Sequence, residues 1–313
     1  MPQIISSRIL ALFCVLTISV PLRASPSKEV FVQEACFSPD SKYLSLSARV
    51  DGQWDIFITD IEGKLIRNIT NDTMQDVYTT WASGGSGLIF VSKRDGMTQL
   101  FIHNINDGST IQWAKFHNGA TAPSCSPDFS QIVFASKVNG AYDLFVMNNR
   151  ALDLATMVGD TPSKAITTDS IGQYNPVWSP DGTKILFYGN IDKDNDELFI
   201  INPDGSNLRR LTRTPYREIF PGWAPDSKSV VYSANVDSTV GRLYLLALDS
   251  LASPRLLLKS NPEKTFFARI SPDGKHIAYR CGGYPNANLY IIASDESDSA
   301  RIVFGKGSVV VED

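Results

Sequence analysis

Histidine is scarce in this chain, with three in 313 residues, which leaves little material for the clustered imidazoles of most catalytic metal sites. Cysteine is almost as rare, with four, and Cys14 lies in an apolar leader. The remaining three (Cys36, Cys125 and Cys281) are an odd number, so at least one thiol stays unpaired and no mesh of disulfides holds the fold. A single bridge between Cys36 and Cys281 and three small buried thiols are the two readings left open. No apolar run reaches the roughly 20 residues that a membrane-spanning helix needs. The longest, Ile9 to Val20, follows Arg8, stops at Pro21 and reads as an export signal cleaved after Ala24. Bulky Phe13 before Cys14 disfavours a lipid-anchored alternative. No low-complexity tract points to disorder. Basic charge is also in deficit. Without Arg8 and Arg23 the mature chain carries 27 basic against 33 acidic residues, a net charge of −6. That sign excludes a non-specific nucleic-acid binder as the default.

What the chain does have is repetition. A turn motif recurs as Phe37-Ser38-Pro39-Asp40, Trp81-Ala82-Ser83-Gly84, Cys125-Ser126-Pro127-Asp128, Trp178-Ser179-Pro180-Asp181, Trp223-Ala224-Pro225-Asp226 and Ile270-Ser271-Pro272-Asp273. The anchors at 37, 81, 125, 178, 223 and 270 are spaced by 44, 44, 53, 45 and 47 residues. Nineteen or twenty residues beyond each anchor stands an aliphatic–aromatic pair, from Ile56-Phe57 through Leu289-Tyr290. Proline fixes φ in such a turn, aspartate accepts from backbone amides, and glycine takes positive φ. Repeats of about 45 residues with four short strands each are the signature of a β-propeller. The expected fold is therefore all-β: residues 25–313 form one six-bladed propeller of four-stranded antiparallel blades behind a signal peptide at 1–24. The long spacing places an insertion between Asn148 and Lys164. Ala300 to Phe304 is expected as the outer strand of the last blade, while the tail Ser308 to Val311 either adds a strand or frays.

The copies Asn175-Pro176-Val177-Trp178-Ser179-Pro180-Asp181-Gly182 and Asn202-Pro203-Asp204-Gly205-Ser206-Asn207-Leu208-Arg209-Arg210-Leu211-Thr212 resemble the propeller of TolB and its relatives. The resemblance covers roughly residues 30 to 304. It implies a periplasmic protein of a Gram-negative envelope with protein partners there. TolB carries an additional N-terminal α/β domain. Here the repeats begin directly behind the signal, so the likeness is expected to extend to the propeller alone. Similar repeats occur in the propellers of prolyl oligopeptidase-type peptidases, so fold does not by itself fix function.

Chemistry is hard to find. Ser86, in the glycine-rich turn of the second copy, lacks the strand-to-helix context of a nucleophile elbow. Counted from their anchors, His103, His117 and His276 stand at offsets 22, 36 and 6, and do not meet around an axis. The acidic loop Asp192, Asp194, Asn195, Asp196 lacks the glycine and closing glutamate of a calcium loop and reads as a solvated hairpin tip. The run Arg209, Arg210, Arg213, Arg217 reads as protection of a sheet edge or as a patch for an anionic partner. No catalytic residue, metal or cofactor is assigned, and the expected activity is binding rather than catalysis.

The inner strands of a propeller surround its axis, and the alignment names their residues. Five before the anchors stand Val32, Asp76, Ala120, Gln173, Glu218 and Thr265; three before stand Glu34, Tyr78, Ala122, Asn175, Phe220 and Phe267. A strand of period two puts both sets on one face. Acids, amides and aromatics suit protein recognition. Asp76, Tyr78, Gln173, Asn175, Glu218, Phe220 and Phe267 are the candidate partner-binding residues. The expected protein is a monomeric periplasmic module for an envelope protein. The alternatives are a glycan or small-molecule binder or lyase using the axial funnel, and the detached propeller of a prolyl oligopeptidase-type system.

Overall fold

The Ser-Pro-Asp turns form as their chemistry requires. Ser38 Oγ donates to Asp40 Oδ1 at 2.6 Å, the amide of Lys42 donates to the same oxygen at 3.1 Å, and the Tyr43 amide donates to Ser38 Oγ at 2.9 Å. The serine–aspartate bond repeats at 2.6 Å at Ser126–Asp128, Ser179–Asp181 and Ser271–Asp273. These bonds hold the turn aspartates below the usual carboxylate range; at Asp128 the hydrogen bond from Ser126 leads, and the pKa falls to about 2. The second turn uses Ser83–Gly85 as a short 3-10 segment with Gly84 at φ 60°.

The computed structural model describes residues 29–64, 66–94, 96–149, 162–168, 171–192, 195–235, 241–249, 253–259, 263–297, 299–308 and 311–312. The signal at 1–24 and residues 150–161 of the insertion lie outside them. The described strands form four-stranded antiparallel meanders. The first is β1 (Val30–Phe37), β2 (Tyr43–Val50), β3 (Gln53–Asp60) and β4 (Ile66–Asn68). The second is β5 (Asp76–Trp81), β6 (Gly87–Ser92), β7 (Gln99–Asn104) and β8 (Thr110–Ala114); the third is β9 (Thr121–Cys125), β10 (Gln131–Val138), β11 (Ala141–Asn148) and β12 (Lys164–Ala165). Next come β13 (Gln173–Trp178), β14 (Ile185–Asp192), β15 (Asn195–Ile201) and β16 (Arg209–Arg210), then β17 (Arg217–Trp223), β18 (Ser229–Asn235), β19 (Gly241–Ala247) and β20 (Arg255–Leu256). Last are β21 (Thr265–Ile270), β22 (His276–Gly283), β23 (Asn286–Ala293) and β24 (Arg301–Phe304), followed by β25 (Val311–Glu312).

Both faces of each meander are covered, so the second strands are buried on both sides: Leu44, Leu46 and Ala48 face one way, Ser45 and Ser47 the other. Apolar clusters lie between neighbouring sheets, as where Leu186 and Ile200 meet Trp223 and Val230. The anchor indoles stitch sheets together. Trp81 Nε1 donates to the Cys36 carbonyl at 3.0 Å, and Trp223 Nε1 to the Val177 carbonyl at 3.1 Å. Threonines clasp the outer strands to the third strands: the amides of Ile56, Leu144 and Leu198 donate to the hydroxyls of Thr70, Thr167 and Thr212 at 3.0, 2.8 and 3.0 Å.

The inner strands touch in order, β1 to β5, β9, β13, β17, β21 and back to β1. The first and last described strands both belong with the first meander. Phe31 of β1 bridges Ala287 of β23, and β25 pairs in parallel with β4, Val311 opposite Arg67. The tail therefore adds a strand. Cys36 and Cys125 are free thiols in this structure, so no bridge joins Cys36 to Cys281.

Candidate functional site

The inner strands β1, β5, β9, β13, β17 and β21 touch one another in turn, and their local geometry departs from simple alternation. A register shift interrupts each pairing with the second strand, between Val77 and Thr80, Tyr174 and Val177, Ile219 and Gly222, and Phe266 and Arg269, and likewise in the first and third meanders. At the bulge Tyr78, Ala122, Asn175, Phe220 and Phe267 take φ between 47° and 56°. That region costs a residue with a Cβ about 1 kcal/mol or more, and it recurs at the same repeat position in five meanders. The expectation that both candidate sets share a face by period two is corrected here, because a bulge re-aims one set relative to the other.

The seven candidates divide accordingly. Asp76, Gln173, Asn175, Glu218 and Phe267 are buried, and Tyr78 and Phe220 are half-buried. Phe220 stacks on Phe267 of the next meander with ring centroids 3.7 Å apart. Tyr188 meets Phe220 edge-on at 5.8 Å, stacks on Tyr174 at 5.3 Å, and Tyr174 meets Tyr142 at 5.4 Å. On the other side the Arg280 guanidinium lies over Phe267 at 5.2 Å and over Phe31 at 5.2 Å. Phe31 in turn contacts Trp54 at 6.0 Å and Tyr284 at 5.8 Å. The result is a run of aromatic rings from the third meander through to the first, ending on Tyr284, which is 72% exposed.

Most of this run escaped the sequence reading, which aligned inner-strand positions only. Tyr142, Trp54 and Tyr188 belong to second and third strands. A signal was there: Trp54 and Tyr142 both stand seventeen residues beyond their anchors.

The inner strands also carry buried acids. Burial pushes Glu34 up to about 7, with the Thr79 amide donating to Glu34 Oε1 at 2.9 Å. Burial likewise lifts Asp76 to about 6 and Glu218 to about 7. Arg94 reaches Asp76 only at 3.5 Å, while Thr214 Oγ1 donates to Glu218 Oε1 at 3.0 Å. Asp196 is not part of a solvated hairpin tip. It is buried, and Arg217 Nε donates to it at 2.6 Å. Arg210 Nε donates to buried Glu197 at 2.6 Å. Two members of the arginine run therefore neutralise buried carboxylates, which neither edge protection nor an anionic partner describes.

Between them the inner strands leave a cavity of about 60 Å3, lined among others by Glu34, Cys36, Tyr78, Asn175 and Arg269. Among the described residues no three His, Cys, Asp or Glu side chains are grouped to hold a metal. No helix among them is long and apolar enough to cross a membrane. Ser86 sits exposed between the 3-10 turn and β6. His117 is exposed, His276 half-buried, and His103 is buried with Nδ1 2.9 Å from Thr110 Oγ1.

The family model described as TolB beta propeller domain matches residues 22–113. A TolB homolog of Chlorobium luteolum is 26% identical over 131 residues, which are 41% of this chain and 27% of that protein. The chain thus aligns with little more than a quarter of that relative's length. Among solved structures, TolB from Acinetobacter baumannii superposes with a TM-score of 0.67 at 16% identity, over 91% of this chain and 66% of that one. An oligogalacturonate lyase in complex with manganese gives a TM-score of 0.60 at 15% identity, over 88% of this chain and 78% of that one. The chain is similar to TolB β-propellers, and the fold is shared with proteins that include enzymes.

Proposed function

We propose that this TolB-type propeller is a six-bladed, exported, non-catalytic module that binds a protein of the cell envelope across the aromatic end of its ring. The observation that carries the reading is the run of rings from Tyr142 to Tyr284. Half-exposed aromatics fixed in place by stacking bury apolar area on a partner at little cost in side-chain entropy. The closed order of inner-strand contacts supports the count of six. Periplasmic residence rests on the leader at 1–24 and on the likeness to TolB homologs.

The lyase likeness keeps a ligand of the axial funnel as the second reading. The cavity of about 60 Å3 between the inner strands favours the first, since it has room for about two waters and drug-sized ligands need several hundred Å3.

The test is site-specific photo-crosslinking in living cells from Tyr142 and Tyr174, with Leu208 on the outer rim as control. The expected result is one envelope-protein adduct from both tyrosines, absent from Leu208 and diminished by Phe220→Ala. The same adducts from Leu208, or none from either tyrosine, overturn the reading.

A further inference from the structure

The register of the third strands places one residue of each meander in the wedge facing the preceding sheet. Opposite Leu44, Leu88, Ile132, Ile185, Val230 and Ile277 stand Thr59, His103, Met147, Ile201, Leu246 and Ile292. Only one of the six is ionisable. In the third-to-fourth wedge Ile201 packs with Ile166 and Trp178, and in the fourth-to-fifth Leu246 and Leu248 pack with Leu211 and Trp223. In the first-to-second wedge the equivalents of Leu246 and Leu248 are His103 and Ile105. His103 turns Nδ1 to Thr110, and Ile105 is 37% exposed. The wedge is open as a groove of about 660 Å3, within the range of ligand pockets. Gly108, with nothing within 4 Å of where a Cβ would stand, and Gly85 widen it.

Its walls have two characters. Ile58, Ile69 and Trp81 give an apolar floor. Arg67 and Arg94 line the groove against a single carboxylate, Asp72. Asp72 Oδ2 holds Arg94 at 2.8 Å, so that pair is largely neutral within the groove. Arg67 is exposed and makes no ion pair among the described residues. Its charge has no partner among the described residues. A guanidinium so placed beside an apolar floor suits a molecule with an anionic group on a flat hydrophobic body.

We infer that the groove between the first two meanders is a binding site for small amphiphilic anions, such as aryl carboxylates or sulfonates, with Arg67 as anion anchor and Ile58, Ile69 and Trp81 as the apolar bed. It shares no residue with the aromatic run, so it stands or falls independently of the docking reading.

The probe is 8-anilinonaphthalene-1-sulfonate, followed by its fluorescence on the full chain, with neutral N-phenyl-1-naphthylamine as the body without the charge. The parent binds the sulfonate saturably at one site. Arg67→Glu weakens the sulfonate roughly tenfold or more and leaves the neutral probe nearly unchanged. Ile105→Trp, at an exposed position of the groove wall, adds bulk to the wedge and weakens both probes. Thermal melts establish that each variant is folded. Unchanged sulfonate affinity in folded Arg67→Glu, unchanged binding of both probes in folded Ile105→Trp, or no saturable binding to the parent overturns the site.

Discussion

Single residues carry strain and charge that the repeat pattern hides. The last position of the anchor turn takes positive φ in each Pro-Asp copy: glycine at 182 and 274, but Ser41, Phe129 and Ser227 elsewhere. Ser41 and Ser227 have a use, since their hydroxyls accept the amides of Asp273 and Asp181 from neighbouring turns at 3.1 and 3.0 Å. Phe129, at φ 57°, has no such bond. Phe129→Gly is predicted to stabilise the protein by ~1 kcal/mol, read from urea denaturation; a lower midpoint would mean that packing of the phenyl ring outweighs the strain. The buried acids set a pH dependence. Burial lifts Glu34 and Glu218 from the ordinary 4.5 to about 7 in the fold, and Asp76 from the ordinary 3.8 to about 6. Their protonated forms are the ones the fold favours. Their contribution is therefore complete below about pH 4 and is lost as pH rises through 6 and 7. The melting temperature should fall between pH 5 and pH 8, and Glu218→Gln should make that fall shallower. A slope that Glu218→Gln leaves unaltered would place the effect in other groups.

At the scale of elements, the anchors separate burial from hydrogen bonding. Trp223 and Trp178 occupy the same repeat position and are equally enclosed, but Trp223 Nε1 donates across the sheet boundary while Trp178 Nε1 is buried without a partner among the described residues. Trp223→Phe is predicted to cost more than Trp178→Phe by about 1 kcal/mol, the net worth of one such bond. Equal losses in chemical denaturation would assign the indoles a purely packing role. The clasps obey the same logic. Thr212 gives the Leu198 amide its acceptor, and Thr212→Val is predicted to cost about 1–3 kcal/mol by leaving that amide buried and unpaired. A loss below that range would show that the amide finds another acceptor.

For the whole molecule the issue is closure. The turns of the last and first meanders are tied by the Asp273 amide and Ser41, the strands by Phe31 and Ala287, and the tail by β25 on β4. A chain truncated after Ser308 loses the last of these. Hydrogen exchange of the β4 amides is predicted to accelerate, with β13 to β16 on the far side unaffected. Uniform acceleration everywhere would mean that the tail supports global stability rather than a local seam.

The sequence by itself determined the repeat, because proline, aspartate and glycine impose the anchor turn locally, and the aliphatic–aromatic pairs mark third strands whose faces are both covered. From these the element order and the candidate positions Asp76, Tyr78, Gln173, Asn175, Glu218, Phe220 and Phe267 could be written down. Local chemistry could not say how those positions present themselves. The inner-strand bulge is a register shift between first and second strands, and it left no mark in the alternation. The aromatic run joins rings from five meanders and exists only once the ring places Phe220 on Phe267 and Arg280 between Phe267 and Phe31. The pairing of Arg217 with Asp196 and the open wedge beside His103 are likewise properties of two sheets together. Each depends on contacts between residues distant in the chain, whose geometry only the packed ring fixes.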